Sequence, residues 1–359
     1  MGEDLSRRDL IRHSSTGIAA VGIAGLAGCT GSVPFLSDEY DSVPIGNWLV
    51  DPTLEEILDT SQYEDRVEDF EFSDGNRSEV SFESAVPEAI FDNADELDDY
   101  GPLEGGSVSR LRSRVSAPAS EIDWQLTQSM TWDWEFTHTQ TSFGSQSEAT
   151  ESQSSSISVD VIGGSFDPEE IEENLESWAD DNLTDEGQYE GFDFYETFDA
   201  VYGVSGETIV QVTSDQGDID LLETLEIVID ANVEGSYRLT DDDDANELLS
   251  QFDQGHVNSG FLLEFDDDSE ETEDEQEEND WRTGLLGGTS AESIDGQTTD
   301  VSTVFLFDLE RYAVADDVEE YVRRNRDITD EFATLEDYSV EEDGRTVTVT
   351  GTVQTQAYF

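Results

Sequence analysis

Proton-transfer chemistry near neutrality needs a histidine or a shifted carboxylate, and this chain is short of the first and crowded with the second. Outside the N-terminal segment the histidines are His138 and His256, far apart in sequence. His138 alternates with Phe136 in a strand-like run and fits a sheet surface, whereas His256 follows Gly255 in a turn. A zinc centre takes three or four nitrogen or sulfur ligands, and the single cysteine, Cys29, sits near the N-terminus. The runs Asp241–Asp244 and Asp266–Asp268 crowd oxygen donors together but lack the glycine-centred spacing of a calcium loop. No Gly-x-Ser-x-Gly elbow occurs, and a phosphate loop would need a lysine the chain does not have. Gly163-Gly164 follows a strand and precedes a helix but lacks the third glycine of a dinucleotide turn. The expectation is therefore no catalytic residue, no metal, no cofactor and no enzymatic role.

Binding chemistry has better candidates. Trp132 and Trp134 share one face of an alternating run, and Trp124 belongs to the neighbouring strand-like stretch. Together they either line a sugar or peptide groove or pack a core. Arg323 and Arg324 cluster at the end of a helical pattern, as a foothold for an anionic ligand or as neutralisers of acidic neighbours. The sequons Asn76-Arg77-Ser78 and Asn182-Leu183-Thr184 can carry glycan on an exported chain.

Of the 359 residues, 89 are acidic and 15 basic, for a formal charge of -74, and every basic residue is arginine. Such a charge repels itself strongly at low ionic strength. Molar salt shortens the screening length to roughly 3 Å and removes most of that repulsion. This acidic, lysine-free composition resembles that of proteins from extremely halophilic archaea. Acidity is thus background, and nucleic acid, which needs a basic stripe, is excluded as a partner. A 35% hydrophobic share leaves ample material for a core.

The first thirty residues are more specific. Arg7 and Arg8 stand before the apolar run Thr16–Gly25, which leads to Leu26-Ala27-Gly28-Cys29. The order of charge, short apolar stretch and small residues is that of an export leader. The apolar run is about half of what a spanning helix needs, roughly 20 residues. The pattern resembles a twin-arginine export signal ending in a lipoprotein box. That resemblance implies cleavage before Cys29, a lipid on its thiol, and residence on the extracytoplasmic face of the cell membrane.

Periodicity sets the elements that position the rest. Residues 1–29 read as signal peptide and lipobox, 30–42 as a tether, and 43–120 as an irregular or helical region. From 121 to 235 and again from 236 to 359, a strand, a helix and further strands follow in the same order. Within the first passage, residues 142–156 read as an exposed loop and Tyr189–Tyr195 as one strand. Within the second, residues 266–280 form an acidic excursion. The expected class is α+β: two degenerate ferredoxin-like repeats, antiparallel sheets with helices on one face.

The function expected from these readings is that of a membrane-anchored extracytoplasmic lipoprotein with a structural or protein-interaction role. Its partners are membrane lipid through Cys29 and a cell-surface protein. The alternative is a solute-binding or sensing module with a ligand cleft between the repeats.

Overall fold

The computed structural model describes residues 44–61, 68–72, 75–93, 97, 106–118, 121–142, 145–180, 182–251, 255–263, 282–325 and 335–355. The leader with Arg7, Arg8 and Cys29, the tether 30–42 and the acidic excursion 266–280 lie outside the described residues.

In chain order the helices are α1 (Ile45–Trp48), α2 (Leu54–Ile57), α3 (Pro87–Asp92), α4 (Gly106–Val115), α5 (Pro168–Ala179), α6 (Leu221–Val233), α7 (Asp243–Ser250) and α8 (Ala315–Asn325). The strands are β1 (Glu68–Phe72), β2 (Asn76–Ala85), β3 (Ile122–Ser142), β4 (Ser145–Gly164), β5 (Thr184–Tyr189), β6 (Phe192–Glu196), β7 (Val201–Val204) and β8 (Thr208–Ser214). They continue with β9 (Val257–Leu263), β10 (Leu285–Asp295), β11 (Thr298–Phe307), β12 (Glu336–Asp343) and β13 (Thr346–Gln354).

All of these strands join one sheet, ordered β12-β13-β11-β10-β9-β2-β3-β4-β8-β7-β6-β5, with β1 added on β3. Two separate ferredoxin-like repeats are therefore not what the chain forms. The element that overturns that expectation is β2, from the segment that reads as irregular. It pairs with β3 from Asn76↔Asp133 to Ala85↔Gln125 and with β9 from Glu79↔Leu263 to Ala85↔Val257. One strand thus closes the gap between the two halves, with β9-β10-β11-β13-β12 running outward on one side of the β2–β9 seam and β2-β3-β4-β8-β7-β6-β5 on the other. Its alternation of Val80 and Phe82 with Ser81 and Glu83 is that of a strand with one sealed face and one open face.

Helices cover both faces, a second correction. On one face α1, α2, α6 and α7 bury Leu126, Met130, Trp132 and Trp134 of β3, Val159 and Val161 of β4, and Val304 and Leu306 of β11. On the other, α5 brings Ile171 and Leu175, and α4 brings Leu111 and Val115, onto Ile162, Tyr202 and Val204. Farther along that second face α8 lays Val318 and Val322 on Phe305, Phe307 and Val347. Between these two covers the middle of the sheet stays open.

Local chemistry explains the helix starts. The Asp167 carboxylate accepts the Glu169 N–H, and Pro168 occupies the first position of α5. Asp220 accepts from Leu222 and Glu223 at the start of α6. Asp242, inside the acidic run, accepts from Ala245 at 2.8 Å, so that run starts α7 as its charge pattern predicts.

Two further expectations change. Residues 145–156 belong to β4 and pair with β3 down to the Ser142↔Ser145 turn. Their serines and glutamates hide the strand because β8 flanks β4 only from Ile157 onward. Tyr189–Tyr195 is a hairpin rather than one strand, with Glu190 and Gly191 both at positive φ in its turn.

Candidate functional site

The open middle of the second face is a trough of about 450 Å³, within the range of small-molecule sites of roughly 300–1,000 Å³. Its floor consists of β3, β2, β9, β10 and β11, whose registers set side chains in two rows. One row runs Ser129, Ser81, Phe261, Gly288, Phe305, and the next runs Thr127, Glu83, Ser259, Ser290, Thr303. Directly opposed residues on neighbouring strands share a face, so each row lies across the floor as a unit. Gly288 separates the two phenylalanines: a Cβ there would stand 3.2 Å from both the Phe261 and the Phe305 ring. Glycine is what lets the rings close toward each other.

The hydroxyls are partly preorganised. Ser290 Oγ donates to Glu292 Oε1 at 3.3 Å and lies 3.2 Å from Thr303 Oγ1. Thr127 Oγ1 donates to Asp160 Oδ1 at 2.7 Å, at the point where the second row passes beneath the helical cover. The same row continues through Asp160, Gln211 and Tyr202, and the Tyr202 hydroxyl accepts from Arg114 at 2.9 Å. Burial raises the Tyr202 phenol, with the Arg114 guanidinium opposing the shift. A polar ladder therefore runs from the trough into the helix-covered half.

The residues singled out from the sequence lie elsewhere. Trp132 and Trp134 are buried on the opposite face, within the core under α6. Trp124 packs on the same face: its ring stacks against Gly163 and stands 6.3 Å from Trp48. These aromatics pack a core and none lines the trough. Arg323 and Arg324 are exposed at the end of α8, and both reach Glu320. Asn182 is exposed, and its amide donates to the Ala179 carbonyl at 3.0 Å, closing the C-terminus of α5. Asn76 opens β2 opposite Asp133.

Neither histidine lines the trough. His138 is buried near the far end of β3, with Nε2 3.7 Å from Glu151, and its ring packs on Phe136. His256 is buried beside β10, where its Nδ1 accepts the Ile294 N–H at 3.0 Å. An accepting Nδ1 must be unprotonated, and desolvation lowers the pKa of the ring below its usual 6.5. The unfolded chain therefore binds the proton better, and this contribution to stability is complete above 6.5 and lost as pH falls through the lowered value. Denaturant midpoints should accordingly decline from about pH 6.5 downward, before the carboxylates titrate, and His256→Gln should flatten that decline. An unchanged slope in the variant would remove His256 from the account.

Among the described residues no group of three His, Cys, Asp or Glu side chains is arranged to hold a metal ion. A smaller cavity of about 180 Å³ lies over β10, β11 and β13 beside Asp300 and Asp337. Burial, aided by Asp295, raises the Asp300 carboxyl above the usual range.

The trough residues escape sequence reading because Ser81, Thr127, Ser129 and Ser259 look like the wet side of ordinary strands. The sequence signal is thin: Thr127, Ser129 and Thr131 alternate in β3, while the other floor strands contribute one hydroxyl each to the two rows, Ser81, Ser259, Ser290 and Thr303.

The fold and the trough together define a class: one antiparallel sheet, sealed by helices on one face, with a helix-flanked open floor on the other. No family model matches the chain, and no curated protein matches it. Solved structures similar to it include those of TP0453. Crystal form IV has a TM-score of 0.41 at 6% identity, covering 88% of this chain and 94% of that one. Crystal form III has a TM-score of 0.39 at 6% identity, with 88% and 96% covered. Crystal form I has a TM-score of 0.39 at 7% identity, with 88% and 95% covered. Likeness at this level carries no argument about function.

Proposed function

We propose that this protein is an extracytoplasmic, lipid-tethered binding module that takes a small ligand into the open trough of its sheet. The observation that carries the reading is the trough itself, a 450 Å³ concavity across five strands at the seam of the two halves. A cleft between the halves separates a ligand-binding role from a purely structural one, because a scaffold has no need of a floor built from aligned hydroxyls. The leader residues Arg7, Arg8 and Cys29 support delivery to the outer face and attachment there. Binding is favoured over catalysis because the trough contains one carboxylate, Glu83, and neither histidine. It therefore lacks the paired acid and base, or nucleophile and base, that turnover requires.

A second reading, contact with another surface protein, has one observation in its favour. Phe198, 76% exposed at the β6–β7 turn, stacks on Trp178 at 5.9 Å, and Arg114 Cζ lies over the same indole, 4.2 Å from its centroid. An exposed ring stacked on a neighbouring indole is the kind of anchor that protein interfaces use.

The trough reading is tested by thermal unfolding of the purified chain in molar KCl with sugars, polyols, betaines, amino acids and short peptides. A class that binds at a hundredfold excess over its Kd adds about 2.7 kcal/mol and raises the midpoint by degrees. Ser259→Trp, which fills the centre of the floor, should abolish that rise. If no class raises the midpoint, the trough is not a ligand site.

A further inference from the structure

We infer that the trough takes a neutral polyhydroxylated ligand, a short saccharide, and that Glu83 orients it by accepting from two adjacent hydroxyls. The inference rests on the trough reading above and adds the chemical class.

The first support is a contrast in charge. One residue in four of this chain is acidic, yet of the thirteen that line the trough only Glu83 is. A surface kept for contact with brine would carry the carboxylates found everywhere else. This floor instead has one carboxylate of its own, with Glu292 and Asp160 held at its margins by the Ser290 and Thr127 hydroxyls, which marks it as a surface of another kind.

The second support is the donor set. Hydroxyls both give and accept hydrogen bonds, so they complement a ligand that does the same at several neighbouring positions. Ser259 and Ser290 stand beside Glu83 in one cross-strand row, with Thr127 on its other side. A carboxylate has two oxygens and can accept from two vicinal hydroxyls at once. In the adjacent row the half-buried Phe261 ring, backed across Gly288 by the buried Phe305, offers an apolar face to the C–H side of a sugar ring.

Other ligand classes fit less well. An anion would meet Glu83 and no lining arginine. A fatty chain would strip water from the floor hydroxyls without replacing their hydrogen bonds, a cost of about 1–3 kcal/mol per group. An organic cation would find one exposed carboxylate, no better than the dozens elsewhere and screened in molar salt.

The test is isothermal titration of the full chain in molar KCl with methyl glucoside, maltose and N-acetylglucosamine. Glycine betaine, sulfate and octanoate serve as charged and apolar comparisons. At least one saccharide is expected to bind with a Kd of about 10 μM to 1 mM. Glu83→Gln and Phe261→Ala should each weaken it roughly tenfold, a loss of the size expected when a polar site meets a mismatched partner. Glu83 is exposed, so Glu83→Gln should keep the unliganded unfolding midpoint and isolate binding from folding. Saccharide binding of equal strength in both variants would overturn the assignment. If betaine, sulfate or octanoate binds and Ser259→Trp blocks it, while the saccharides stay silent, the class is wrong and the trough reading survives. Silence from every probe would overturn both.

Discussion

Cys29→Ser should move the protein from the membrane fraction to the soluble exterior, with essentially no membrane-bound pool remaining. No described helix is long and apolar enough to cross a bilayer, so attachment in the proposed reading falls to acyl chains on one thiol. Each buried methylene contributes about 0.8 kcal/mol, and a single chain gives only marginal, reversible binding. Two chains hold firmly; none leaves a polyanion of charge -74 facing a membrane surface that does not attract it. A serine in place of Cys29 cannot form the thioether, so the change is all or none. The paired change Arg7→Lys with Arg8→Lys should act one step earlier, leaving an uncleaved precursor in the cytoplasm. Fractionation with mass analysis of the N-terminus reads both outcomes. A Cys29→Ser protein that sediments with membranes as the parent does would end the tether model.

In the proposed reading such a tether gives the trough its setting. A ligand site held at the cell exterior would sample what the medium or neighbouring surfaces present, and the two features are expected to be separable. Loss of Cys29 should leave affinity unchanged while loss of Glu83 leaves location unchanged.

The sequence carried local structure well and long-range pairing poorly. Period-two and period-3.6 patterns located β9, β11, β13, α5, α6 and α8 because each has one face that must leave water. The acidic run Asp241–Asp244 was readable as a helix start, and Asp242 caps α7; Asp51, which reads as the cap of the first helical stretch with Pro52 behind it, gives way to Thr53 at the start of α2. What local pattern cannot encode is which strand a strand lies against. Nothing in Asn76–Ala85 announces that it will sit between β3 and β9, yet that pairing turns two expected sheets into one. The trough inherits the same blindness, because its rows exist only once five strands from distant parts of the chain are aligned. Trp132 and Trp134 illustrate the opposite error. Spacing correctly assigned them one common face, but whether that face would be groove or core depended on α6 and the segment before it.

That segment is held by a chain of buried polar groups, and it supports the second large expected effect. Trp134 Nε1 donates to Ser155 Oγ at 2.9 Å, and Ser155 Oγ donates to Asp218 Oδ2 at 2.7 Å. Ser155 is 0% and Asp218 2% exposed, so neither group can turn to water. The Asp218 carbonyl also accepts from the Asp59 amide, which ties the chain just after α2 to the approach to α6. Ser155→Ala deletes one hydroxyl but disturbs two partners: the indole N–H loses its acceptor, and a buried carboxylate loses a donor. An unsatisfied buried neutral group costs about 1–3 kcal/mol and a charged one more. The two together should lower unfolding free energy by about 3–5 kcal/mol, with the denaturant slope unchanged. Trp134→Phe removes only the donor at the end of the chain and should cost less than Ser155→Ala, about 1–2 kcal/mol beyond the small change in packing. Equilibrium denaturation in molar salt separates the cases. If Ser155→Ala costs no more than Trp134→Phe, the carboxylate does not depend on the serine, and the cover over this face is held by apolar packing alone.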